Sequence, residues 1–97
     1  MGIIAWKIAE GLENIFGDEK QKIWEKGRII KGKNPDIWRK DLYGNIIRKG
    51  SYGAKGEHGW EKDHKNPISK GGTDNLRNMQ PLHWKENRQK SDKYPYK

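Results

Sequence analysis

The sequence predicts a small α+β domain, with N-terminal helices, a basic β-hairpin and a strand–loop–strand–helix unit at the C-terminal end. Three observations carry this expectation. The chain has 97 residues, the length of one domain. Apolar residues recur at helical spacing near the N-terminus and give way to short extended runs. A turn-rich stretch, KNPISKGGTDNLRN, separates two such runs in the last third and is followed by a polar, helix-compatible tail. We read 1–97 as one unit, with helices and hairpin over 1–55 and the C-terminal unit over 56–97.

Each element has its own signal. Ile4, Ile8, Leu12 and Ile15 fall on one helical face, with Phe16 beside them and Gly17 as a natural stop. They predict a helix over Ile3–Phe16 despite Gly11, its stripe serving as core or as a partner contact such as a homodimer. Asp18 is placed to cap a second helix running to about Lys26, before Gly27. GRIIKGKNPD reads as a loop with a turn at Asn34-Pro35-Asp36. Trp38–Leu42 and Ile46–Lys49 read as hairpin arms around Tyr43-Gly44-Asn45. SYGAKGEHG is loop, GWEKDH a short strand, MQPL a second extended piece, and HWKENRQKSD a helix. A long loop inside a small domain is usually functional or disordered, which directs attention to residues 65–78.

Composition sets further bounds. Only 31% of residues are hydrophobic, so the core must be small. Five tryptophans (Trp6, Trp24, Trp38, Trp60, Trp84) are the expected compensation, since each can bury a large area. The absence of cysteine excludes disulfides and zinc sites built on thiolates. No apolar run reaches membrane-spanning length and no signal-peptide pattern precedes the first charges. The expectation is a soluble cytoplasmic protein, in a bacterial or phage setting, with no membrane partner. The formal charge is +8, concentrated where residues 22–55 carry ten bases against three acids. Such a surface attracts polyanions, nucleic acid above all, although solubility alone would also account for it.

The C-terminal unit gathers groups suited to cutting a phosphodiester. Asp63 supplies a carboxylate and Asn87 a neutral carbonyl oxygen, the hard donors that Mg²⁺ or Mn²⁺ prefers. Two protein ligands suffice for an ion that keeps several waters and binds phosphate. His64 is the candidate base, since its ordinary pKa lies near neutrality. His83, Asn87 and Lys90 share one helical face, which offers a ligand at Asn87 and a phosphate cation at Lys90. One point opposes this set. Neighbours in a regular strand face opposite ways, so Asp63 and His64 meet in one site only where the strand ends or bends.

The segment resembles the HNH endonucleases, whose catalytic unit is a ββα-metal finger. The resemblance rests on Asp63-His64, Pro67, Gly71-Gly72, Asp74, Asn75-Leu76, Asn78, Gln80-Pro81-Leu82 and Asn87-Arg88-Gln89-Lys90. The intervals, 14 positions from His64 to Asn78 and 9 from Asn78 to Asn87, are similar to those in the HNH domain of RNA-guided CRISPR effectors. The resemblance covers about a third of the chain. It implies that His64 is the general base, that Asp63 and Asn87 are metal ligands, and that Asn78 pins the loop and orients the histidine. It implies His83 as a further candidate ligand. It also implies DNA in its duplex form as substrate and a 5′-phosphate product.

Arg88, Lys90, Lys85, Lys70, Arg39 and Lys40 are the candidate nucleic-acid contacts. Many relatives hold a structural zinc with cysteine pairs; here none is expected, and packing must hold the fold. Asn in place of a final His favours Mg²⁺ or Mn²⁺ over softer ions. Two alternatives stay open: a catalytically idle nucleic-acid-binding module, and a nuclease acting on RNA.

Overall fold

A computed structural model describes residues 17–97 of the chain. The predicted helix over Ile3–Phe16, with its apolar stripe and any homodimer contact, lies outside the described residues. Within them the architecture is α+β. Helix α1 spans Asp18–Trp24; strands β1 (Trp38–Lys40) and β2 (Ile46–Arg48) form one antiparallel pair. Strands β3 (Trp60–His64) and β4 (Met79–His83) form another, and helix α2 (Trp84–Lys90) follows directly. No helix among the described residues is long and apolar enough to cross a membrane.

Helix α1 differs from expectation at its start. The cap is Gly17, at φ 86°, and no side chain caps the helix. Asp18 instead opens the first turn together with Glu19, where carboxylates favour the positive end of the helix dipole. The hairpin is shorter than predicted because Asp41 leaves the ladder and is wholly buried. Its Oδ1 accepts the Tyr43 and Asn45 amides, each at 2.9 Å, and its Oδ2 accepts the His83 amide at 3.0 Å. One carboxylate thus closes the hairpin turn and ties it to the start of α2.

The core is small and aromatic. Ile23, Trp24, Ile47, Trp60 and Met79 pack together, with Tyr52 and Leu76 against them. The Trp24 and Trp60 rings lie 5.3 Å apart, and Tyr52 meets Trp60 edge-on at 4.9 Å. Each buried indole N–H is satisfied: Trp24 donates to the Pro35 carbonyl at 2.9 Å and Trp60 to that of Lys49 at 3.1 Å. Trp38 and Trp84 are only half-buried. Trp38 stands edge-on to His58, and Trp84 donates to the Gly56 carbonyl. Among the four described tryptophans, compensation therefore rests on two, and Trp6 lies outside the described residues.

The long loop is compact. It holds two 3₁₀ turns, Ile68–Lys70 and Leu76–Asn78. Gly72 is required there, because a Cβ at that position would lie 1.8 Å from the Asn66 carbonyl oxygen. Lys26, just after α1, donates to the Met79 carbonyl at 2.9 Å and to that of Leu76, fastening the helix to the loop's end.

Trp24→Ala and Trp60→Ala should each cost about 3–5 kcal/mol of stability. Trp84→Ala should cost clearly less. Urea unfolding of the three variants checks the ranking, and equal losses would contradict a core centred on the Trp24–Trp60 pair.

Candidate active site

The site forms where β3 ends against α2. Side chains alternate along β3, so Glu61 and Asp63 turn towards α2 while Lys62 and His64 turn away. Among the described residues the sheet has two strands. Beyond an isolated bridge from Tyr52 to Trp60, the outer edge of β3 carries no strand partner among the described residues. Side chains from both faces therefore reach round one edge, and Asp63, His64, Asn87 and Lys90 line a single recess of about 190 Å³. The opposition raised by strand alternation is resolved by this edge and by the strand's end at His64.

Asp63 is 6% exposed, and both its oxygens are engaged. Gln80, its cross-strand partner, donates to Oδ2 at 2.8 Å. Lys90 donates to Oδ1 at 3.1 Å and to the His64 carbonyl at 2.8 Å. A carboxylate oxygen has two lone pairs, so each keeps one for a further partner. Asn87 is oriented from the same strand. Its Nδ2 donates to Glu61 Oε1 at 2.8 Å, which leaves Oδ1 as the amide atom that can accept a further partner. Glu61 is itself gripped by Arg88 through two bonds of 2.7 and 2.9 Å. The Arg88 guanidinium holds the Glu61 carboxyl below the usual carboxylate range, against burial, with help from Asn87.

His64 Nε2 lies 2.8 Å from Asp74 Oδ1. An ionised carboxylate only accepts, so Nε2 carries the proton and Nδ1 is left as the basic nitrogen. Asn78 sets this geometry from below. Its Oδ1 accepts the Asn66 amide at 2.9 Å, and its Nδ2 donates to the Asn66 and Thr73 carbonyls at 2.9 and 2.7 Å. Asn66 is two residues past His64 and Thr73 is immediately before Asp74. One amide thus fixes the separation between the histidine and its carboxylate partner. A second groove, of about 580 Å³, is also lined by His64, Lys62 and Asn87.

Other predicted positions lie elsewhere or face inward. His83 is not brought to Asp63 and Asn87. It pairs with Trp60 at the far end of the ladder, caps α2 by accepting the Lys85 amide at Nδ1, and donates from Nε2 to Glu57 at 2.7 Å. With both nitrogens used and two ladder positions between, it is corrected from ligand to helix cap. Lys90 is 1% exposed, so it is an internal cation here and not a surface phosphate contact. Arg39 is likewise buried, its guanidinium donating to the Pro35, Glu25 and Gly27 carbonyls. Lys70 and Lys85 are exposed, and Lys40 is half-buried. Arg88 is exposed but committed to Glu61.

Sequence reading missed the roles of Asp74, Glu61 and Gln80. Glu61 had a local signal, sharing the Asp63 face two residues away. Asp74 had none, because the loop path alone brings it back to His64.

Among the described residues no group of three or more His, Asp or Glu side chains is arranged as a metal cage. The donor set at the recess, one carboxylate and one amide oxygen, fits a hard divalent ion that keeps most of its water. Glu61 also gives a test by acid. A depressed folded-state pKa contributes stability that is present above the ordinary Glu range and is lost as pH falls through the folded value. The thermal midpoint of the wild type should therefore fall more steeply on acidification than that of Glu61→Gln, as read by circular dichroism. Parallel curves would contradict the pairing.

Comparison with known proteins adds one finding. Residues 52–93 match the family model described as HNH endonuclease. No significant match was found among curated proteins or among solved structures. The matched span contains β3, the compact loop, β4 and α2, with Asp63, His64 and Asn87 at the recess and Asn78 inside the loop. Residues 52–93 are a domain of the HNH endonuclease family.

Proposed function

We propose that this protein is a divalent-metal-dependent endonuclease that hydrolyses phosphodiester bonds of double-stranded DNA, with His64 as general base. The observation that carries the reading is the convergence of Asp63, His64 and Asn87 on one recess, with Asp74 behind the imidazole. Asp63 and Asn87 would hold Mg²⁺ or Mn²⁺. The chemistry such an ion supplies is neutralisation of charge on the scissile phosphate and the departing oxygen.

The chain's own groups do the rest. Asp74 keeps the Nε2 proton in place and so presents Nδ1 as the base. His64 Nδ1 takes a proton from water as the water oxygen bonds to phosphorus and the P–O3′ bond breaks. The products are a 5′-phosphate and a 3′-hydroxyl, whose proton comes from solvent. Asn78 acts as a positioning residue, spanning the loop between the base and Asp74. Exposed Lys70 and Lys85, and the +8 net charge, favour a polyanionic substrate.

A second reading, a nucleic-acid-binding module without catalysis, is favoured by the closed Asp63–Lys90 pair. Plasmid nicking in Mg²⁺ and in Mn²⁺ separates the two. His64→Ala should lower turnover about 10²–10⁴-fold with binding intact. Chelation should abolish cutting and added Mn²⁺ restore it. A wild type that binds plasmid and cuts in neither metal would favour the binding module. Duplex DNA, single-stranded DNA and RNA compared under one condition decide the substrate class, and faster cutting of RNA would overturn the DNA assignment.

Asp74→Ala should lower kcat about 10-fold or more with KM held. An unchanged kcat would remove Asp74 from the mechanism.

A further inference from the structure

Lys90 is at odds with the usual behaviour of lysine. Lysines are almost never fully buried unless paired, and this one is 1% exposed at the last position of α2. Its ammonium has two acceptors, Asp63 Oδ1 and the His64 carbonyl oxygen, and it lines the same recess as Asn87. The carboxylate that would receive a divalent ion thus already holds a cation, with Gln80 on its other oxygen.

We propose that Lys90 is a built-in counter-cation of the metal site: its ammonium is paired with the Asp63 carboxylate in the recess, and an entering divalent ion displaces it from that carboxylate. The inference rests on the metal site proposed above. Two cations on one carboxylate repel strongly where burial removes the screening of water. The contact with Asp63 Oδ1 is the one that opens, and the bond to the His64 carbonyl is retained. Lys90 then continues to hold the end of β3 while it yields the ligand. A further consequence concerns the order of events. Because each ion must compete with a tethered ammonium, the site binds metal weakly alone and more tightly once a phosphate adds its own oxygens.

Two measurements test this at one fixed pH. The first is Mn²⁺ titration calorimetry of Lys90→Met, which keeps the apolar stem and removes the charge. Binding should tighten about tenfold or more relative to the wild type. Equal or weaker binding by the folded variant overturns the proposal. The second measurement uses the wild type alone, so that it stands if the variant does not fold. Nitrogen-15 NMR of the lysine ammonium groups should show a Lys90 signal that shifts and loses protection from solvent on saturation with Mg²⁺. An unmoved signal at saturation overturns the proposal. Asp63→Ala serves as the control for the underlying site. If its Mn²⁺ isotherm equals that of the wild type, the ion binds elsewhere and the metal-site reading itself fails.

Discussion

A carboxylate withdrawn from water must be matched by donors, because an unpaired buried charge costs several kcal/mol. Asp63 is such a group, and the arrangement of the C-terminal half follows from satisfying it. Gln80 can reach it only in the observed β3–β4 register, which sets Asp63 opposite Gln80. Lys90 can reach it only if α2 turns that face inward, which also sets Asn87 over Glu61. The same lysine holds the His64 carbonyl, so the end of the strand and the end of the helix share one charge. Strand register, helix rotation and the position of the base are therefore coupled through a single ion pair.

The chain has few apolar residues and no cysteine, and it makes up the deficit with side chains bonded to backbone. Asp41 joins the hairpin turn to the His83 amide, Arg39 gathers three carbonyls near α1, and Lys26 fastens α1 to the loop. Asn78 does the same inside the loop. Bonds of this kind add little net free energy each, but leaving any partner buried and unsatisfied is costly, so they specify one geometry. Glu86 adds a clamp between side chains: burial pushes its carboxyl up, yet bonds from Tyr96, Asn45 and Lys97 outweigh that and hold it below the usual range. The Trp24–Trp60 contact supplies the apolar centre around which these clamps are arranged.

A net positive charge says nothing about which cations face outward. Arg39 and Lys90 are buried, and Arg88 is tied to Glu61. Of the expected nucleic-acid contacts, Lys70 and Lys85 are exposed. The attraction for polyanions is a property of the whole surface, whereas the site itself is close to internally neutral, with each acid facing a donor.

The order of strand, loop, strand and helix could be read from the sequence, because Pro67, Gly71 and Gly72 break structure locally and Asn87 and Lys90 fall on one helical face by spacing alone. Asp63-His64 at a strand end and Asn78 in the loop were readable for the same reason. Local pattern also misled where a position had more than one use: Asp18 proved to be a first-turn residue, and His83 a cap. Only the tertiary structure decided that Asp74 returns to His64, that Lys90 points inward to Asp63, and that Arg39 supports the fold. Each of these depends on strand register, on the path of a fourteen-residue loop or on packing between distant segments. Local periodicity states which face a residue occupies; it does not state what stands opposite that face.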